Sequence, residues 1–347
     1  MAGKGRLTQR DIARLAGVSQ ATVSLVLNDA KAAAGRIPAE TRERVHKAIR
    51  DTGYVADPIA RRMAKGLNRI LGVFTYEPAF PSAQADFFVP FLLGIEERAQ
   101  ALGYDLLLLT GASGPRGQRK IFHENNRLRL ADGCVLLGRE FDRAELRKLM
   151  SSDYPFVAVG RRDPVGGKLA PYVGADYVSA TADLVHRARD KGHARLAYIG
   201  PETGAESSVD RWKGFVSALG DARLVYQLTE VGGDARAMLS AIRKAKATVA
   251  FFTELADAIV VEAAARSQNL SVPGDLSIVV LGSHLRPQLS GTRFTTFSIP
   301  REQMAGVATQ MLAERIEAGS PGTQVVLRCD PIEGETLGPV PNSKGMK

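Results

Sequence analysis

The sequence predicts an α/β protein with a small all-α head and a core of two lobes, each a doubly wound parallel sheet. Three observations carry this. The charge is partitioned: residues 1–69 hold 14 Lys and Arg against 6 Asp and Glu, while the whole 347-residue chain nets only +9. After residue 70, short apolar runs alternate with stretches of helical periodicity, the pattern of parallel strands covered by helices. Residues 70–347 are long for one such sheet, and the Gly- and Pro-rich stretch 163–172 offers a division.

Composition narrows the class. A hydrophobic fraction of 45% and a charged fraction of 24% are ordinary for a soluble globular chain. Met1–Arg6 leads into no apolar run, so no signal peptide is expected. No stretch approaches the roughly 20 apolar residues of a membrane helix. Cys134 and Cys329 lie far apart in apolar, strand-like segments and read as buried free thiols, which suits the cytoplasm. A basic head on a near-neutral body points to a polyanionic partner for the head and a separate task for the body.

The head is patterned for folding. Thr8-Gln9-Arg10-Asp11 reads as a helix start with a capping-box acid, and Ile12, Ala13, Leu15 and Ala16 supply an inward face. Gly17-Val18-Ser19 is a tight turn, and Ser19 can cap a second helix, Gln20–Leu27. Val23, Val26 and Leu27 face inward there, leaving Gln20, Ala21, Thr22, Ser24 and Leu25 outside. Two short helices joined by such a turn form a helix-turn-helix, whose second helix enters the DNA major groove N-terminus first. A third helix runs from about Pro38 to Thr52 on Val45, Ala48 and Ile49, and Gly53 ends it.

The residues Thr8-x-x-Asp11-Ile12-Ala13-x-x-Ala16-Gly17-Val18-Ser19-x-x-Thr22-Val23-Ser24-x-Val26-Leu27-Asn28 closely resemble the head of the lactose-repressor/galactose-repressor (LacI/GalR) family of bacterial transcription regulators. Thr41-Arg42-x-Arg44-Val45 and Gly53-Tyr54 continue the match. The resemblance implies that Gln20 and Ala21 read bases, Gln by bidentate bonds to adenine and the Ala methyl against thymine. Leu25, where the family often has a polar or basic residue, would add apolar contact. Thr8, Ser19, Thr22, Ser24 and Asn28 would position the head on phosphates.

Residues 57–69 follow as a hinge. Asp57 can cap a short helix with Pro58 in its first turn, and Gly66 stops it. Two turns are too few for a stable lone helix, so the residues alone allow a basic linker. The resemblance implies instead a helix that orders on DNA, with Ala60, Arg61 and Met63 at the minor groove and Met63 as the apolar wedge, where the family usually has Leu.

In the core, Ile70–Tyr76, Tyr104–Leu109, Cys134–Leu137, Phe156–Val159, Leu196–Ile199, Val249–Phe252 and Ile278–Leu281 are strand candidates. Phe91, Leu92, Ile95, Ala99 and Leu102 repeat at helical spacing between the first two. The resemblance continues through Gly192-His193-x-Arg195-x-Ala197-Tyr198-Ile199-Gly200, Arg211-x-x-Gly214-Phe215 and Val272-Pro273-x-Asp275-Leu276-Ser277. It implies a periplasmic-binding-protein-like core, a homodimer, a near-palindromic double-stranded DNA site and a small-molecule effector between the lobes. The expected division is a head at 1–56, a hinge at 57–69 and a core at 70–347. Its first lobe takes about 70–165 and 301–320, its second about 166–300 and 321–340, with crossings near 163, 300 and before 330.

Within the cleft, Arg211 matches the family's ligand-binding arginine and Asp176 a frequent cleft acid. Thr253, Ser283, Phe88 and Arg161 complete the expected effector site. Elsewhere the chain departs: Thr253-Glu254 stands for the usual Asn-Asp, Gly282-Ser283 for an acidic pair, and Ile299 for Gln. Three outcomes stay open: a sugar or purine as in the family, an anionic or less hydroxylated effector held by Arg211, or a cleft without small-molecule control. No P-loop, Gly-x-Ser-x-Gly elbow or metal-ligand spacing appears, and His46, His123, His186, His193 and His284 are scattered. The chain therefore reads as a regulator rather than an enzyme, with no cofactor and no metal. An exported transport-type binding protein would share the core but not the head.

Overall fold

The computed structural model describes residues 7–28, 33, 35–54, 67–77, 85–110, 119–123, 127–282 and 291–340. The chain divides into two units, 1–69 and 70–347.

The described residues of the first unit include α1 (Gln9–Ala16), α2 (Gln20–Asn28) and α3 (Ala39–Thr52). The expected capping box is present at α1, where Asp11 N donates to Thr8 Oγ1 (3.4 Å) and Thr8 N to Asp11 Oδ2 (2.9 Å). Gly17 closes α1 in the left-handed region, at φ 63°, a conformation that is costly for a residue with a Cβ. Ser19 Oγ then accepts from Thr22 N (3.1 Å) and opens α2. Ile12, Ala13, Ala16, Val23, Val26, Val45, Ala48 and Tyr54 pack into one small core. Leu15 is a correction: expected on the inward face, it is 58% exposed. It lies one position before Ala16, about 100° round the helix and past the edge of the face formed by Ile12, Ala13 and Ala16.

The second unit holds two parallel sheets. The first contains β1 (Ile70–Thr75), β2 (Asp105–Leu109), β3 (Gly133–Leu137), β4 (Phe156–Val159), β5 (Tyr172–Ala175) and β11 (Gln324–Leu327), in the order β11-β5-β4-β3-β1-β2. The second contains β6 (Arg195–Ile199), β7 (Arg223–Leu228), β8 (Val249–Phe252) and β9 (Ser277–Val280), in the order β7-β6-β8-β9. A short antiparallel pair, β10 (Thr296–Phe297) with β12 (Pro331–Ile332), joins two late segments. The central strands β3, β4, β5 and β8, and the end strand β9, are buried along their whole length, as strands covered on both faces must be.

Helices α4 (Ala85–Ala101) and α5 (Arg143–Met150) belong to the first lobe. The second lobe carries α6 (Tyr177–Asp190), α7 (Glu206–Ser217), α8 (Ala235–Lys244) and α9 (Leu255–Ser267). Helix α10 (Arg301–Ala318) returns to the first lobe, packing on α4 and on β3, β4 and β5. Gly94 sets the α4–α10 approach: a Cβ there would lie 2.1 Å from the Glu302 carbonyl oxygen.

The lobe boundaries expected from sequence need two corrections. Residues 172–175, placed in the second lobe, pair with β4 in the first sheet, as Ala158↔Tyr172 and Val159↔Val173. Residues 324–327 were also placed there, yet they pair with β5 from Gln324↔Tyr172 to Leu327↔Ala175. The first crossing therefore falls after Ala175 rather than near residue 163. The chain returns before α10 and crosses again after Leu327. Cys134 and Cys329 are free and buried, and burial pushes the Cys329 thiol up to about 12.

Candidate nucleic-acid interface and ligand cleft

The first turn of α2 presents Gln20 and Ala21, both exposed. Arg10 Nε on α1 donates to Gln20 Oε1 (3.3 Å), which restricts the amide before any partner arrives. Ser19 and Thr22 share a hydroxyl–hydroxyl bond of 2.9 Å at the same end. Thr22 and Ser24 are half-buried. The Thr8 hydroxyl is engaged in its cap, donating to Asp11 Oδ2 at 2.7 Å. Leu25 differs from expectation: it is half-buried and packs on the head core, because its helical position borders Val26 and the α3 face. Asn28 closes α2, and its side chain lies outside the described residues, as do Ala60, Arg61, Met63 and Ser283.

Between the lobes of the second unit lies a cavity of about 650 Å³. Its floor is set by strand C-termini, the usual place for ligands in open parallel sheets. Gly160 (φ 98°) turns the chain just after β4, so that Arg161 and Arg162 enter the cleft. Among the described residues, seven cationic side chains and five carboxylates line the cavity. Three of the arginines are paired across it. Arg161 Nε reaches Asp210 Oδ2 on α7 at 2.7 Å, and its Nη1 reaches Asp163 at 2.5 Å. Arg162 Nη1 reaches Glu206 on α7 at 2.8 Å, and Arg139 Nη1 reaches Glu254 beside β8 at 3.5 Å. Three arginines from the ends of β3 and β4 thus hold three acids of the opposite lobe.

Burial works against the Arg161 charge, but the Asp210 and Asp163 carboxylates outweigh it and raise its pKa. For Arg162 burial wins and lowers the pKa despite Glu206. Its guanidinium is 3% exposed, lies 3.7 Å from the Phe141 ring centroid, and also donates to the carbonyls of Gly138 (2.7 Å) and Val159 (3.1 Å).

Of the expected effector residues, Arg211, Thr253, Phe88 and Arg161 come together on this cavity. Arg211 is held on three sides: Nε donates to Leu281 O (2.6 Å), Nη1 to Ser207 O (2.9 Å), and the guanidinium lies 4.0 Å from the Tyr177 ring centroid. Thr253 Oγ1 donates weakly to Ile199 O at 3.4 Å. Asp176 is corrected: it does not line the cavity, and its carboxylate caps α6 by accepting from Ser179 N (2.9 Å). An acid immediately before a helix serves the free N–H groups first. Sequence reasoning missed Tyr177, Asp210, Glu206, Arg119, Lys120 and Arg301. Asp210 and Tyr177 had a signal in their closeness to Arg211 and to the first crossing. The others had none.

A charged helix-turn-helix with an exposed N-terminal reading edge, carried with a two-lobed core enclosing a polar cavity, defines a ligand-responsive DNA-binding protein. Residues 8–57 match the bacterial regulatory proteins of the lacI family, and residues 185–337 match the periplasmic binding protein-like domain. The chain thus joins a lacI-family DNA-binding region to a periplasmic-binding-protein-like core, and it is a DNA-binding transcriptional regulator with an effector-binding core. It is 27% identical over 348 residues to the HTH-type transcriptional regulator AglR of Rhizobium meliloti, covering 96% of this chain and 95% of that one. It is 26% identical over 323 residues to the HTH-type transcriptional repressor PurR of Actinobacillus pleuropneumoniae, covering 89% and 91%. Its fold matches the lac repressor dimer bound to operator and the anti-inducer ONPF at a TM-score of 0.77, with 18% identity, covering 96% of this chain and 99% of that one.

Proposed function

We propose that the chain is a homodimeric, cytoplasmic repressor, without enzymatic activity, that binds a near-palindromic operator and answers to a small molecule held between its core lobes. The observation that carries this reading is the α2 start: Gln20 and Ala21 stand exposed at a capped helix N-terminus, in a head and hinge (residues 1–69) of 14 basic and 6 acidic residues. One head reads one half-site, so a two-fold dimer reads two. Gln20 and Ala21 contact bases, while Ser19, Thr22, Ser24, Thr8 and Asn28 set the register on phosphates. Residues Ala60, Arg61 and Met63 enter the minor groove at the centre, with Met63 as the wedge. Leu25 contributes more to holding α2 on the head than to reading.

The operator-bound dimer of the lac repressor, whose fold this chain shares, supports the dimer and the duplex partner. The repressor name of the Actinobacillus relative supports the sign of regulation. An effector acts here by favouring one lobe arrangement over another, with a coupling on the order of 1–3 kcal/mol.

Selection of bound sequences from random duplex DNA by the full-length protein tests the reading. A palindromic consensus is expected. Gln20→Ala relaxes preference at one symmetric position and keeps non-specific binding. A consensus unchanged in that variant removes Gln20 from the reading pair, and the absence of any consensus rejects the regulator assignment.

A further inference from the structure

The cleft holds cations that lack carboxylate partners. The second-lobe acids that face it, Asp210 and Glu254, are bound by Arg161 and Arg139. On the first-lobe wall, Glu77 accepts the Arg139 backbone N–H at 3.0 Å with one oxygen while its other oxygen is buried without a hydrogen-bond partner among the described residues, and Asp142 caps α5 by accepting from Ala144 N and Glu145 N. Four of the five carboxylates on the cavity are thus engaged by protein donors, Glu140 being the fifth.

Arg211, Arg119 and Lys120 line the same cavity and form no ion pair among the described residues. Arg211 is fixed by two carbonyls and the Tyr177 ring, with Nη2 left over, so its guanidinium needs no reordering to receive an anion. Phe87, Phe88 and Phe91 on α4 line the same cavity, with ring centroids 4.9 and 5.7 Å from Phe87. Phe88 and Phe91 are buried, so the half-buried Phe87, beside the Arg139 guanidinium at 5.0 Å, supplies the aromatic surface for a flat body.

We propose that the effector is a small organic anion, a carboxylate or phosphate ester carried on a flat apolar body, with its charge at Arg211 and its body against the Phe87 ring. The volume of about 650 Å³ suits a ligand of this class. The inference rests on the core being the effector-binding domain, and its test separates the two claims.

Thermal unfolding of the full-length protein is followed at constant ionic strength with cinnamate, cinnamamide, phenyl phosphate, cellobiose and adenosine. Cinnamate or phenyl phosphate is expected to raise the midpoint by several degrees, and the uncharged amide at the same concentration to leave it in place. Which of the two anions acts distinguishes carboxylate from phosphate. Affinity falls at least tenfold in Arg211→Gln and in Lys120→Gln. Lys120 is exposed, so the second variant retains the fold if the first does not. Stabilisation by cellobiose or adenosine with none by the anions overturns the proposal and leaves the effector domain standing. Equal shifts from cinnamate and cinnamamide, or no shift from any probe, also overturn it. Operator selection with the same preparation reports on the regulator reading independently.

Discussion

Arg162 occupies a demanding position in the core. It is 3% exposed and pairs with Glu206 at 2.8 Å, with the Glu77 carboxylate adding to the balance. Removing one member of a buried pair strands the other without solvent. Glu206→Gln is expected to destabilise the core by about 3 kcal/mol, read as a lower urea midpoint with an unchanged slope. Residues of this kind show how the sequence informs and where it stops. Arg139, Arg161 and Arg162 were legible because they follow apolar strand runs, and strand ends face the cleft. Their acids were not, because Glu206, Asp210 and Glu254 meet them only when the lobes close. No local pattern encodes a contact across a cleft. Asp176 misled for the opposite reason: a family position suggested a ligand contact, while the local chemistry of a helix start took the carboxylate.

The packing of α4 against α10 shows the same division among elements. Both helices are backed by sheet, and their approach is fixed by a single missing side chain at Gly94. A methyl there would sit 2.1 Å from the Glu302 oxygen, a distance no relaxation of one side chain relieves, since the obstacle is backbone. Gly94→Ala is expected to cost about 3 kcal/mol despite alanine's better helix propensity, and calorimetry would register it as a lower Tm. The strands β1 to β4, β6, β8 and β9 were readable from their apolar runs. Strand β5 begins at the last residue of the Gly- and Pro-rich stretch 163–172 and is only four residues long, so it merges with that divider in the sequence. Strands β7 and β11 lie at sheet edges with half-exposed patterns, which resemble loops in a single sequence.

Across the whole molecule, distant segments are tied at His193. It stands just before β6, accepts at Nδ1 from Thr248 Oγ1 (2.8 Å), and donates from Nε2 to the Gly338 carbonyl (3.1 Å). Burial lowers its pKa from the ordinary 6.5, with the Gly338 bond opposing. The folded chain thus refuses a proton that the unfolded chain accepts. The contribution to stability is complete above pH 6.5 and is lost as the pH falls below it, towards the lowered folded value. Between pH 7 and pH 5 the natural protein should lose more thermal stability than His193→Asn, and equal losses would rule out this histidine as the cause.

Strand β11 also sets a timetable. The first lobe opens at Ile70, yet its sheet is unfinished until Gln324–Leu327 docks beside β5, and α10 must already cover β3 to β5. A ribosome delivers the head long before either segment, and domains fold as units while synthesis proceeds. For most of its birth the chain is a finished DNA-binding head trailing an incomplete sensor. The capacity to grip nucleic acid therefore arises earlier along the chain than the capacity to be told to let go.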